Sequence, residues 1–225
     1  MAKKNVNVEE QNLENVQEAL NTTTLWIEKN RKKLLIALGT VVVVVLAVLG
    51  YTQFVVKPTV ENINNDNYLA TLYFMQGDFE KALNGDSVDC VGFKQTADEY
   101  GRYQGGKLAA LYTGICYSHM GKYEDAVEYI SRFEAGDVNI EPAALQFLGD
   151  TYVRLGDYKK AIEFFEKAAK SENNVIAPMS LKKAGIVYLE LKDNASALKA
   201  FEAIKNDYPA SDEAKDIDKF ISLAQ

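Results

Sequence analysis

Residues Leu145 to Ala168 read LQFLGDTYVRLGDYKKAIEFFEKA, and this stretch decides the fold. Leu145, Gly149 and Tyr152 lie at i, i+4 and i+7, so they share one face of a helix. Ala161, Phe165 and Ala168 repeat that spacing on a second helix. Gly156-Asp157 stands between them as a stop and turn, with glycine supplying the C-terminal cap. Gly149 and the alanines let the two helices approach closely, and the large Tyr152 and Phe165 fill the space between neighbouring units.

The same order occurs twice more. Upstream it is carried by Ala110, Gly114, Tyr117, Gly121, Tyr123, Ala126, Ile130 and Phe133. Downstream it is carried by Leu181, Gly185, Tyr188, Lys192, Asn194, Ala197, Phe201 and Ile204. The glycines Gly114, Gly149 and Gly185 are 35 and 36 residues apart, a period that marks stacked helical hairpins. A degenerate unit precedes these three: Tyr73, Gly77, Phe79 and Ala82 keep the spacing of Tyr152, Gly156, Tyr158 and Ala161. Its first helix is predicted to open with Pro58 at the first helical position. From Gly77 to Gly121 is 44 residues, so an insertion of about nine is expected, most simply as a loop over Asn84 to Val91. Ser211 and Asp212 cap a predicted closing helix with Ala214, Ile217, Phe220 and Ile221 on one side.

The L-x3-G-x2-Y…A-x3-F…A order resembles the tetratricopeptide repeat, and Pro209 matches that family's terminal proline where the middle repeat has Asn173. The resemblance implies an all-α solenoid of helical hairpins, with units at about 63–101, 107–140, 142–175 and 178–210 and a closing helix at 211–223. In that family the first helix of each unit lines a concave groove. Carried over by position, the groove consists of Phe74 and Met75; Ile115, Ser118 and His119; Gln146, Asp150 and Arg154; and Lys182, Ile186 and Glu190. Such a mixture suits a peptide, with apolar contacts giving affinity and charges selecting register. Asp150 and Arg154, at i and i+4, can instead simply pair with one another.

Ahead of the repeats, Leu34 to Val56 is 23 residues without a formal charge. About 20 apolar residues span a bilayer core, so this segment reads as one transmembrane helix in contact with lipid. It is too long for the apolar region of a signal peptide, lies too far from the start, and lacks an A-x-A-like site after it. Lys29, Arg31, Lys32 and Lys33 precede it, against Lys57 alone close behind, which predicts a cytoplasmic N-terminus. Residues 1–33 form the predicted tail. Leu13, Val16, Leu20 and Ile27 fit a helical stripe there, while Asn5, Asn7 and Asn12 equally allow disorder, so partial helix is expected.

Of 25 basic and 32 acidic residues, six and five fall within 1–56, leaving 19 and 27, a net −8, for the domain at 57–225. No basic cluster offers itself to a phosphate backbone, so nucleic acid is an unfavourable partner. Cys90 and Cys116 leave pairing open, and Cys116 falls where the other repeats carry Thr151 and Val187, at a packed position. There is one histidine, His119, and no nucleophile elbow, phosphate loop or H-E-x-x-H. Cys116 and His119 at i and i+3 are two ligands, which do not make a metal site. No enzyme, metal or cofactor is expected.

A cytoplasmic tail, one membrane helix and an extracytoplasmic repeat domain together resemble a bacterial inner-membrane family of ancillary subunits of the Sec translocon. That resemblance implies a protein-binding scaffold in the inner membrane with its repeats in the periplasm. Its partners would be translocon subunits, periplasmic chaperones or unfolded clients. A scaffold for envelope assembly or cell division uses the same module, and an enzyme is the outside alternative.

Overall fold

The computed structural model describes the backbone of residues 2–225 except 87, 88, 135 and 137, and side chains from Thr24 onward with the same exceptions. Every regular element among the described residues is helical. By internal contacts the chain divides into two units, Met1–Pro58 and Thr59–Gln225.

The first unit is the helix α1 (Ala2–Tyr51) followed by a π turn at Thr52–Val56. Helical backbone runs through the segment expected to be only partly ordered; the stripe positions Leu13, Val16 and Leu20 lie outside the described side chains. From Thr24 the helix is long and apolar enough to cross a membrane. Val41 to Val45 are each about half exposed or more. Aliphatic surface left uncovered on this scale marks α1 as a candidate membrane span.

Pro58 does not open a helix. It sits inside α2 (Lys57–Met75), and Lys57 before it holds ordinary right-handed helical angles, φ −60° and ψ −51°. A proline within a helix removes a donor and presses on the preceding turn. The π turn just before it, closed by the Lys57 N–H donating to the carbonyl of Thr52, widens the backbone where that pressure falls.

The second unit stacks α2, α3 (Phe79–Asn84) and α4 (Phe93–Tyr100) against the hairpins α5 (Gln104–His119) with α6 (Tyr123–Ile130), α7 (Ile140–Arg154) with α8 (Tyr158–Ala169), and α9 (Ile176–Glu190) with α10 (Asn194–Asp207). A 3₁₀ turn, Glu213–Asp216, leads into the closing helix α11 (Ile217–Ala224). The insertion splits the degenerate unit's second helix into α3 and α4; Ser87 and Val88 within it lie outside the described residues. Asp86 anchors this loop, accepting from the backbone N–H groups of Asp89 and Cys90 and from the Tyr73 hydroxyl.

Each hairpin turn is built alike. The Asp157 N–H donates to the Tyr152 carbonyl and the Gly156 N–H to that of Val153, the paired bonds of a Schellman motif. Tyr73, Tyr117 and Tyr188 start the equivalent turns. The residue at the turn needs positive φ, which Gly77, Gly121 and Gly156 supply at 75–79° and Lys192 adopts at 60°. In three of these turns the next residue caps the second helix: the carboxylates of Asp78, Asp157 and Asp193 accept the N–H groups of Lys81, Lys160 and Ser196, whereas Lys122 ahead of α6 makes no side-chain cap.

Close packing of the two helices explains the recurring glycines. A Cβ on Gly149 would stand 2.5 Å from the Phe165 ring, on Gly185 2.3 Å from the Phe201 ring, and on Gly114 2.4 Å from Ile130 Cγ1. Three buried clusters follow one another along the stack, around Phe93 and Ile130, around Phe165, and around Phe201 and Ile217. Tyr152 packs against the first and second of these and Tyr188 against the second and third, so the repeat tyrosines join one hairpin to the next. Cys90 and Cys116 are buried and unpaired, and burial pushes the Cys116 thiol up to about 12.

Candidate functional site

The first helices of three successive hairpins open a cleft of about 800 Å³. Helix α5 contributes Ser118 and His119, and Tyr123 follows them at the start of α6. Helix α7 contributes Phe147, Asp150, Val153 and Arg154, and α9 contributes Lys183.

The spacing on α7 follows from helical geometry. Residues 147, 150 and 154 stand at i, i+3 and i+7; seven residues turn the helix by about 700°, only about 20° from two full turns. Residue 146 is eight before Arg154, about 80° further round, which carries it off this face. Gln146 is accordingly buried, at 6% exposure, and Phe147 lines the cleft in its place. The same offset applies on α9, where Lys183 lines the cleft and Lys182 turns toward the C-terminus. Lys182 Nζ donates to Asp216 at 2.6 Å and lies 4.8 Å from the Phe220 ring, fastening α11 onto the stack.

Of the expected groove residues, Ser118, His119, Asp150 and Arg154 come together in the cleft. Phe74 instead packs edge-on against Phe79, Phe93 and Tyr112 in the first core cluster, and Ile115 packs against the same cluster. Met75 is exposed on α2, and Ile186 and Glu190 on α9. Phe147, Val153, Tyr123 and Lys183 complete the cleft unanticipated. The signal for Phe147 was the seven-residue spacing from Arg154.

His119 is held in place by the stack of its ring on Phe79, centroids 4.2 Å apart and planes 4° from parallel. Asp150 does not pair with Arg154, four residues on. It accepts from Lys183 Nζ across the hairpin boundary and so ties α7 to α9. Arg154 is exposed in the last turn of α7, and no ion pair joins it to any described residue. The cleft thus combines a neutralised pair, an imidazole, the rings of Phe147 and Tyr123, the apolar Val153 and one open guanidinium. No group of three or more His, Cys, Asp or Glu gathers for a metal among the described residues.

Models of the tetratricopeptide repeat family match residues 142–174 and 181–211, the hairpins α7–α8 and α9–α10. The chain therefore carries tetratricopeptide repeats, on a solenoid whose regular elements among the described residues are all helices. No curated protein matches it. Two crystal structures of MamA are similar in fold. One is 18% identical over 73% of this chain and 81% of that one, with a TM-score of 0.54. The other is 17% identical over 69% and 91%, with a TM-score of 0.50. A Podosopora anserina putative kinesin light chain with nearly identical TPR-like repeats is 14% identical over 72% and 84%, with a TM-score of 0.55. At these identities the likeness is one of fold.

Proposed function

We propose that this protein is a membrane-anchored scaffold that receives segments of partner proteins in the cleft between α5, α7 and α9. The observation that carries the reading is the cleft itself: three successive first helices present apolar walls and placed charges to one space of about 800 Å³, large enough for several side chains of a peptide. The apolar part of α1 is the anchor, and the basic residues Lys29, Arg31, Lys32 and Lys33 ahead of it hold the N-terminus in the cytoplasm. The repeats then stand in the periplasm of a bacterial cell. On the resemblance of this arrangement to ancillary Sec subunits, the partners are the translocon, periplasmic chaperones and the chains that pass between them.

Protease added to intact spheroplasts tests the topology: the repeats are digested and the N-terminal tail is spared. Isolation of the tagged protein from crosslinked native membranes, quantified by mass spectrometry, tests the partners. Sec subunits or periplasmic chaperones enriched over a control with an unrelated membrane helix support the proposal. Protection of the repeats, or enrichment of cytoplasmic proteins alone, contradicts it.

A further inference from the structure

We propose that α2 pairs with α2 of a second copy of this chain, the two helices lying parallel and in register. Asn65, Tyr68, Leu72 and Met75 follow one another at steps of three, four and three residues, the spacing of a coiled-coil seam. On a helix these positions fall within about 80° of arc. All four are exposed, Tyr68 at 64% and Met75 at 79%. Ile63 and Ala70, about 180–200° round from the middle of that stripe, are the residues that α2 buries in its own domain, at 1% and 0% exposure. One face of α2 is thus seated on the domain, and an apolar one is turned away from it. The terminal units of a solenoid need a polar outer face. At the far end α11 supplies one, turning Asp218, Lys219 and Ser222 to solvent beside Leu223. At the near end α2 does not.

Charge and tethering decide what covers the stripe. The domain from residue 57 carries 27 acidic side chains against 19 basic ones, a net −8, so two copies repel one another across most of their surfaces. The positions that flank the seam, Asn62, Asn64, Leu69 and Thr71, are all uncharged. Asp66 is the one charge between residues 62 and 77, and it lies about 140° round the helix from the stripe. Asn65 occupies a seam position at which a single polar residue fixes register and the number of strands. Glu61 stands one step earlier on the same stripe and would face its own charge across a pair, which ends the seam there. A contact of under two heptads is weak between free helices. Here α2 follows the anchor with only the π turn between, so copies in one bilayer are tethered at the same end of α2 and meet at a raised effective concentration. That last step rests on the anchor reading of α1, which retention in membranes after alkaline extraction checks separately.

The test is oxidative crosslinking of the full-length protein in native membranes through single introduced cysteines, with the unsubstituted protein, whose Cys90 and Cys116 are buried, as background. Tyr68→Cys and Met75→Cys are each expected to give a disulfide-linked dimer, because equivalent seam positions of parallel helices face one another, and Lys159→Cys, exposed on α8, is expected to give none above background. Co-expressed with tags of different size, the two seam variants are expected to form like pairs and no mixed one. Leu72→Glu added to Met75→Cys is expected to lower the dimer yield about tenfold or more, since it places two charges in the seam. Tyr68→Glu, at the more exposed position, is expected to do the same with far-UV circular dichroism and the unfolding midpoint unchanged. A mixed dimer in place of the like pairs means antiparallel helices and overturns the proposal. A yield that survives both glutamates, or is matched by Lys159→Cys, assigns the association to α1 or to random collision and also overturns it. So does the lack of any dimer from the seam cysteines; if they then resist a membrane-impermeant maleimide as well, lipid or a different protein covers the stripe. None of these yields depends on what the cleft binds, so the pairing and the scaffold reading fail separately.

Discussion

Replacing Gly149 by alanine sets two effects of opposite sign against each other. In the interior of α7 an alanine is better than glycine by about 0.8–1.0 kcal/mol of helix propensity. The new Cβ, however, would stand 2.5 Å from both Cδ1 and Cε1 of Phe165, and 3.0 Å from Cζ. Phe165 is only 1% exposed, so the ring has nowhere to withdraw without displacing α8. Forcing an extra methyl group into such a core costs about 1–3 kcal/mol. With the ring unable to yield, the clash falls at the upper end of that range and outweighs the propensity, so Gly149→Ala should destabilise the domain, by up to about 2 kcal/mol. Urea unfolding of the full-length protein in detergent, followed by far-UV circular dichroism, reads this directly. Phe165→Leu removes the obstructing ring, so adding Gly149→Ala to it should be close to neutral or favourable, a coupling of about 1 kcal/mol or more. A stabilised Gly149→Ala single variant, or strict additivity of the two changes, would refute the argument that hairpin packing dictates the glycine.

Lys192 holds the positive φ that glycine holds in the other three turns, so Lys192→Gly should raise stability by about 0.5–1 kcal/mol, seen as a higher urea midpoint. Tyr152, half-buried between two core clusters and stacked on Phe164 at 5.3 Å, should cost about 2–3 kcal/mol on truncation to alanine, below the roughly 3–5 of a fully buried aromatic. Arg154→Ala should stay within about 0.5 kcal/mol of wild type in the same assay. Because Cys116 is buried with its thiol raised to about 12, it is protonated at neutral pH; a disulfide reagent should modify it only after denaturant is added, whereas fast modification of the native protein would contradict its packing.

The hairpins were legible because their signal is doubled. Gly149 and Phe165, or Gly185 and Phe201, sit in contact across a hairpin, and each contact fixes two positions in a period that recurs. The cleft was less legible because its residues need only face outward, and many side chains satisfy that. The helical face was assigned through residues 146, 150 and 154, a step of eight that drifts off the face, where 147, 150 and 154 keep to it. Phe74 shows the other difficulty. It stands in the degenerate first unit, where the insertion brings Phe93 and α4 over it, and an aromatic on a nominally open face becomes part of the core. Pro58 misled for a local reason: a proline suits the first position of a helix, and nothing in the neighbouring residues announces the π turn that admits it inside one.

The scaffold account is tested most directly by placing a photoreactive amino acid at single positions of the full-length protein in living cells and irradiating. His119 and Val153 line the cleft on the first helices α5 and α7, while Lys159 and Glu163 are exposed on the second helix α8, away from the cleft lining. The account predicts covalent adducts to partner polypeptides from positions 119 and 153, diminished when Arg154→Glu is added, and none above background from positions 159 and 163. Adducts of equal yield from all four positions, or from α8 alone, would contradict it.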